Sequence, residues 1–512
     1  MKSLDRYLEE CCLKFKDNVA VVENQKSFTY FELGKSIEEM ASRLQHSGIC
    51  SEDHVVIQLP NSFEVLQVNF AIYKLGAVGI NVVQEYRETE ICHIIKETQA
   101  TAYIYSQKGN CSFYQKNINR IHEEGIHVKC LGIEELKANI KCELCEIKHE
   151  SKSAVANLML SGGTTGFPKL APLEYEQLYV YANAFSEKCN MNEDTKYLAI
   201  LPIPHKFAFC SPGILGTLLK GGTVIVCDDV NYDSVFKIIE REKVNITSVV
   251  PSLLKIWIEV LEWDNSYNLT SLQVLQVGGA PLENRIAEKA CELLKCKIQQ
   301  LYGATESVVC CTDLSDSIET ICSCQGKPLL PEDEIKIVDD SGVEVLPGKT
   351  GEILAKGPYT ITHYYKNENK ESFTIDGFFR MGDLGYFDEK YNIHIVGRIK
   401  NQINKGGEKI SPKEIEEYLA DHPYIEESIV APIPDEILGE KICAFIKAKK
   451  DIAIKELRDY LSEKGIAPFK IPDEMYFIDE WPMTPLKKID IKKLIDSVLN
   501  KVYSGSVVKT QI

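Results

Sequence analysis

Between residues 30 and 294 short apolar runs alternate with longer stretches of helical period, and this alternation limits the possible folds more than any other feature. Helical spacing over 31–44, 63–75 and 88–98 is interleaved with strand-like runs at 54–59, 78–83 and 102–105. The same rhythm returns further on, with strands at 197–201, 223–227, 246–250 and 272–277. Helices at 213–219, 233–241, 252–261 and 283–294 lie between and after them. Such a series predicts βαβ units and a mainly parallel sheet covered by helices. Residues 107–152 are polar and irregular, and a loop-rich connection is expected there.

From about residue 320 the pattern changes to short strands with turns, at 334–338, 352–356, 386–388 and 394–396. A β-rich subdomain over about 320–398 is expected, closing a large N-terminal α/β domain of residues 1–398. Beyond it, helices at 412–420 and 454–464 and strands at 428–431, 442–446 and 475–478 predict a separate, domain-sized α+β module. No internal repeat or low-complexity tract interrupts the chain.

At 512 residues, 44% apolar and 26% charged, the chain can bury a sizeable core in more than one domain. The formal net charge of −17 argues against nucleic acid as a partner, because phosphate backbones require a basic surface. A polyanion such as ATP would have to meet local positive groups. No apolar run reaches the ~20 residues needed to span a bilayer, so no membrane partner is expected. The N-terminus reaches Glu9 and Glu10 without a signal-peptide core. The 18 cysteines then fit a reducing cytoplasm, where the protein is expected. Neither Cys142-x-x-Cys145 nor Cys322-x-Cys324 has the repeated pair of a zinc site, so most cysteines are expected to be small buried apolar residues.

The stretch Ser161-Gly162-Gly163-Thr164-Thr165-Gly166-Phe167-Pro168-Lys169 follows the apolar run 155–160 and precedes helical spacing over 175–185. Its glycines let backbone N–H groups close on an anion, its hydroxyls add donors, and Lys169 adds a mobile positive charge. This is phosphate-handling chemistry. It is not a Walker A loop, because no Gly-Lys-Ser/Thr stands at the required spacing. A polar turn between strand and helix is the plain structural alternative. In open α/β sheets ligands gather at the carboxyl ends of strands. The strand-end loops Gly278-Gly279-Ala280 and Tyr302-Gly303-Ala304-Thr305-Glu306 are therefore candidates for the same site.

These motifs occur in a fixed order with Pro204-His205-Lys206-Phe207, Gly382-Asp383, Gly397-Arg398, Asn404-Lys405-Gly406-Gly407-Glu408-Lys409 and Pro485-Leu486-Lys487-Lys488. Over essentially its whole length the series resembles the adenylate-forming superfamily of acyl-CoA synthetases, peptide-synthetase adenylation domains and luciferases. Segments such as Val56-Ile57-Gln58-Leu59-Pro60-Asn61 and Gly357-Pro358-Tyr359-Thr360-Ile361 bring it nearer the stand-alone aryl-acid–AMP ligases, which activate 2,3-dihydroxybenzoate or salicylate for siderophore assembly.

The resemblance implies ATP-dependent, Mg²⁺-assisted activation of an aromatic carboxylic acid to an acyl-adenylate. Transfer to the phosphopantetheine thiol of a carrier protein would follow, with the carrier expected in trans. An aryl- or acyl-CoA ligase is the alternative, and a nucleotide-binding scaffold without catalysis is a third reading. Glu306 offers a hard oxygen to the metal; an ordinary loop carboxylate is its plain alternative. By family pattern Ser161, Gly162, Gly163, Thr164, Thr165, Gly166 and Lys169 hold phosphates, Thr165 counts with Lys488, Glu306 and His205 as catalytic, and Thr305 meets the α-phosphate. Tyr302 packs on adenine, Gly303, Gly279 and Ala280 complete its surroundings, and Asp383 with Arg398 takes the ribose. In isolation Asp383 could equally cap a turn, and Arg398 could be a surface charge. Lys488 reaches the carboxylate and the bridging oxygen, although Lys487 replaces the usual preceding glycine.

Lys400 falls at the family's hinge (399–401), where Asn401 replaces a common aspartate. The small domain, 402–512, would rotate there and bring Gly406 and Gly407 to the thiol. The acid pocket would comprise His205, Lys206, Phe207, Ser211, Gln276, Gly278, Val309 and Cys310, with His205 on the thiol path. At Lys206 and Cys310 the dihydroxybenzoate ligases typically have asparagine. A lysine only donates and carries charge, so the preferred acid is expected to carry an acceptor or acidic group near Lys206. The alternative is a Lys206 that turns away to pair with a protein carboxylate.

Overall fold

The computed structural model describes residues 4–107, 112–138, 154–161, 168–211, 213–264, 266–366, 370–399, 403–405, 408–410, 412–435, 438–464, 466, 468–483 and 489–499. Two compact units are formed, one of Met1–Ile335 with Leu354–Met381, the other of Lys336–Ile353 with Gly382–Ile512.

In the first unit a nine-stranded sheet runs in the order Lys327–Pro328, Val309–Cys311, Lys297–Gly303, Val274–Gly278, Ile246–Val249, Lys196–Ala199, Thr223–Val226, Val19–Glu23, Lys26–Thr29. From Lys297–Gly303 to Val19–Glu23 all neighbours are parallel, and the outer pairs are antiparallel. Central strands covered on both faces must be apolar almost throughout, and every residue of Val274–Gly278 is buried. The polar exceptions are paired: Ser248 Oγ donates to Gln276 Oε1 (2.9 Å) and Gln276 Nε2 to Gln299 Oε1 (2.9 Å). A buried ladder of this kind is tolerable only when its groups are bonded.

A six-stranded sheet follows the order Lys129–Gly132, Ala102–Tyr105, His54–Gln58, Val78–Asn81, Val155–Ser161, Lys169–Glu174. Helix Tyr30–His46 starts at a capping box between Thr29 and Glu32 and buries Leu33, Ile37, Met40, Ala41 and Leu44 along one stripe. The helix Pro251–Trp263 buries Leu254, Trp257 and Ile258 against Phe236 and Leu275. Each such side chain contributes roughly 1.5–3 kcal/mol of burial.

In the second unit a five-stranded sheet has the path Glu408–Ile410, Ile403–Lys405, Gly439–Ala448, Ile425–Asp435, with Glu474–Phe477 parallel to Gly439–Ala448. Ile403, Ile415, Leu419, Ile442, Leu457 and Met475 form its core with helices Pro412–Ala420 and Ile454–Glu463. The expected α/β class, with a β-rich part and a smaller α+β part, is what the chain adopts. Among the described residues no helix is long and apolar enough to cross a membrane. Most described cysteines are buried, and burial pushes the Cys210 thiol up to about 12.

Four expectations are corrected. Residues 107–152 were expected to be loop-rich, yet helices Ser112–Glu123 and Ile133–Ala138 flank the strand Lys129–Gly132. Tyr114, Ile118 and Ile121 are buried at helical spacing, and Lys129–Gly132 extends the sheet beside Ala102–Tyr105. The Gly-rich stretch was placed between strand and helix, but Ser161 and Lys169 are partners in an antiparallel strand pair. Helix Tyr175–Lys188 begins only after Lys169–Glu174. Before Tyr30, where no element was expected, helix Leu4–Lys14 and strands Val19–Glu23 and Lys26–Thr29 form. The strand expected at 386–388 is the last part of the longer Phe379–Phe387.

Candidate active site

Three neighbouring strands of the nine-stranded sheet bring their ends together. Gly278 is registered against Leu301, Tyr302 against Cys310 and Gly303 against Val309. His205 is exposed and forms the N-cap of the short helix Lys206–Cys210, which carries Phe207. A Cβ at Gly278 would stand 3.1 Å from Leu301 O and 3.4 Å from Phe207 Cζ, so the aromatic ring fills the space a side chain would need. Gly279, at φ +86°, turns the chain out of the strand through the left-handed region, and it and Ala280 are exposed. Ser211 and Tyr181 share a hydrogen bond of 2.7 Å, and Val309 and Cys310 are buried. Gln276 is also buried, with its amide engaged: Nε2 donates to Gln299 and to Cys189 Sγ, and Oε1 accepts from Ser248.

Lys206 is 7% exposed. Its Nζ donates to Thr305 O (3.2 Å) and Ser307 O (3.5 Å). It also lies 4.2 Å from the Tyr181 ring centroid and 5.3 Å from that of Tyr359. Among the described residues no carboxylate lies within ion-pair distance, so the expected alternative of a protein carboxylate partner is not what forms. Backbone carbonyls and ring faces solvate the ammonium instead. Burial pushes its pKa down to about 8. Nearby, the Tyr359 hydroxyl donates to Asp333 Oδ2 (2.6 Å), while Asp333 Oδ1 is buried without a hydrogen bond. Burial holds that carboxyl above its usual range.

Glu306 is buried, and its Oε1 accepts from the Tyr364 hydroxyl at 2.7 Å. The Ser161 hydroxyl bonds to the same tyrosine, and Lys169 Nζ stands 4.6 Å from its ring centroid. Tyr364 thus gathers three expected site residues from distant parts of the chain. Burial and Glu306 together hold its phenol well above the ordinary value, so it stays a donor. Glu306 Oε2 has no hydrogen-bond partner among the described residues. A carboxylate held at one oxygen, with no partner among the described residues at the other, fits Mg²⁺, which takes one or two carboxylates plus phosphate oxygens. Tyr302 is half-buried beside it in sequence, Thr305 is half-buried and Gly303 is exposed.

In the second unit Asp383 and Arg398 are register partners, and Arg398 Nε lies 3.1 Å from Asp383 Oδ1. The carboxylate is buried whereas the guanidinium is 61% exposed, so the cation orients the acid from its solvent side. Gly162, Gly163, Thr164, Thr165, Gly166, Lys400, Gly406, Gly407 and Lys488 lie outside the described residues.

Sequence reasoning assigned no role to Tyr181, Asp333, Tyr359 or Tyr364. Tyr181 shares the helical spacing of Leu178, Ala182 and Phe185 and passes for ordinary core. The signal for Tyr359 was its place in Gly357-Pro358-Tyr359-Thr360, a tight turn closed by Thr360 Oγ1 accepting from Gly357 N–H (2.9 Å).

Residues 8–365 match the family model described as AMP-binding enzyme, and residues 414–488 match the AMP-binding enzyme C-terminal domain. The chain belongs to the AMP-binding enzyme family. It is 37% identical to the 2,3-dihydroxybenzoate-AMP ligase of Bacillus subtilis, with 97% of this chain and 94% of that protein aligned. Pyochelin synthase PchD of Pseudomonas aeruginosa is 34% identical over 93% of this chain and 89% of its own length. Among solved structures, Mycobacterium smegmatis MbtA superposes with a TM-score of 0.73 at 32% identity, covering 96% and 94% of the two chains. The o-succinylbenzoate CoA synthetase of B. subtilis, bound to its acyl-adenylate, gives 0.84 at 26% identity, covering 98% and 99%. The AMP-binding family assignment makes ATP the expected nucleotide, and the sheets described above are those of its adenylation fold.

Proposed function

We propose that this chain is an aryl-acid–AMP ligase, converting an aromatic carboxylic acid and ATP into an aryl-adenylate and pyrophosphate and then passing the aryl group to a phosphopantetheine thiol of a separate carrier protein. The observation that carries this reading is the near full-length match, at 37% identity, with a 2,3-dihydroxybenzoate-AMP ligase.

In the first step a carboxylate oxygen bonds to the α-phosphorus, and the bond from that phosphorus to the bridging oxygen breaks as pyrophosphate leaves. Two anions must meet, so positive charge and aimed donors supply most of the stabilisation. The loop from Ser161 through Thr165 to Lys169 binds phosphate oxygens, and Thr305 meets the α-phosphate. Glu306, oriented by Tyr364, would hold Mg²⁺, which when bound would offset phosphate charge. Tyr302 stacks on adenine with Gly279, Ala280 and Gly303 around it. Asp383 accepts from the ribose hydroxyls, oriented by Arg398. Lys488 stabilises the bridging oxygen as it leaves. The acid lies among Phe207, Ser211, Gly278, Val309 and Cys310, with Gln276 as a wall.

In the second step the thiol sulfur attacks the acyl carbon, the thiol gives up its proton and AMP leaves. The hinge at Lys400 swings the C-terminal module so that Gly406 and Gly407, with His205, line the path of the thiol.

A second reading, transfer to CoA, is favoured by the 33% identity, over 96% of this chain and 92% of that protein, with a naphthoate–CoA ligase of Streptomyces carzinostaticus. Mass spectrometry of thioesters formed with ATP, Mg²⁺ and an aryl acid separates the two. The reading predicts aroyl thioester on a phosphopantetheinylated carrier and little on free CoA. Efficient aroyl-CoA formation with an unloaded carrier would replace it with the second.

A further inference from the structure

Among the described residues named for the acid pocket one fixed cation is buried, and no described carboxylate forms an ion pair with it, although Glu306 and Asp333 act on it through space. Lys206 is 7% exposed, and its Nζ is satisfied by the carbonyls of Thr305 (3.2 Å) and Ser307 (3.5 Å) and by the faces of Tyr181 and Tyr359. Carbonyl oxygens and ring faces are dipoles and quadrupoles; they solvate an ammonium and leave its net charge in place. A buried charge without an ionic partner is unfavourable, and burial accordingly pushes this ammonium towards deprotonation. Asp333 accepts from both the Tyr359 hydroxyl and the Leu330 N–H through Oδ2, while Oδ1 bonds nothing. It forms no ion pair with Lys206, although Lys206 contributes a lowering influence on it.

An ammonium has three N–H donors, and two are directed at the two carbonyls. The rest of the ammonium faces the two rings, and its uncancelled net charge remains for whatever enters beside Phe207 and Gly278. Building on the aryl-acid reading above, we propose that Lys206 selects aromatic acids that carry a second, acidic or strongly hydrogen-bond-accepting ring substituent. A second ring carboxylate or an acidic phenol supplies the missing counter-charge, whereas unsubstituted benzoate leaves the ammonium unpaired. The same argument disfavours a substituent that can only donate.

The test is ATP–pyrophosphate exchange by the full chain with benzoate, salicylate, benzene-1,2-dicarboxylate and benzene-1,4-dicarboxylate, using wild type, Lys206→Met and Lys206→Asn. A charge-assisted hydrogen bond predicts a preference of about 10- to 100-fold in kcat/KM for at least one substituted acid over benzoate. Lys206→Met should bring that ratio towards one, and Lys206→Asn should shift the ranking towards neutral hydroxylated acids. Equal ratios in wild type and both variants would overturn the proposal, as would a wild type that takes benzoate as well as every substituted acid. The latter comparison stands even if a variant fails to fold. Absence of exchange with every aryl acid, against robust exchange with an aliphatic acid, would instead overturn the aryl-acid reading on which the proposal rests.

Discussion

At Tyr364 one phenol ties Ser161, Lys169 and Glu306 into a single cluster, although no local pattern links position 364 to the other three. Removing its hydroxyl frees a buried carboxylate from the bond that fixes its direction. Bonds to charged groups are worth about 1.5–3 kcal/mol, so Tyr364→Phe should lower kcat/KM for exchange by roughly 10- to 100-fold. If Glu306 serves the metal, the variant should also need more Mg²⁺ for half-maximal rate. Exchange kinetics under Mg²⁺ titration check both effects, and an unchanged Mg²⁺ requirement would detach Tyr364 from the metal site. Of the described residues that the sequence singled out, Gly278, Tyr302 and Gly303 lie at strand ends, where Gly-rich clusters have few structural uses. Tyr181, Asp333 and Tyr359 escaped because an aromatic or an acid inside a regular pattern has many. Their meaning comes from the Lys206 ammonium, which is remote from all of them in sequence.

Among the elements, the legible ones are those whose apolar period is long and uninterrupted. Helices Phe63–Leu75, Glu88–Thr98, Gly213–Leu219 and Pro412–Ala420 form over the expected residues. The strand Lys169–Glu174 was hidden by Pro172, which cannot donate to a ladder and is tolerated because this strand lies at the sheet edge. Val19–Glu23 was hidden for another reason: its parallel partner, Thr223–Val226, is supplied from far along the chain. Only tertiary pairing reveals such a strand. The hinge proposed at Lys400 is tested at this scale, because proline there fixes φ and removes a donor. Lys400→Pro should leave exchange within about threefold of wild type and slow thioester transfer at least tenfold, if rotation of the module gates that step. Single-turnover transfer from preformed aryl-adenylate measures it, and a wild-type rate would remove the hinge.

For the whole molecule, two compact units and a family match over 8–365 and 414–488 agree with a large adenylating part and a smaller C-terminal part. Alternation alone carried the sequence reading as far as a parallel α/β architecture. The chemistry was legible only through the order of the motifs, and the acid pocket only in part, because its charge balance depends on burial around Lys206. The central claim is that this chain makes an aryl-adenylate. Carboxylate-dependent exchange of labelled pyrophosphate into ATP tests it most directly, with Mg²⁺ present and a thiol acceptor omitted. The account predicts label in ATP that requires an aryl acid and is abolished without it. Exchange that proceeds equally without any carboxylate, or that answers only to aliphatic acids, would contradict it.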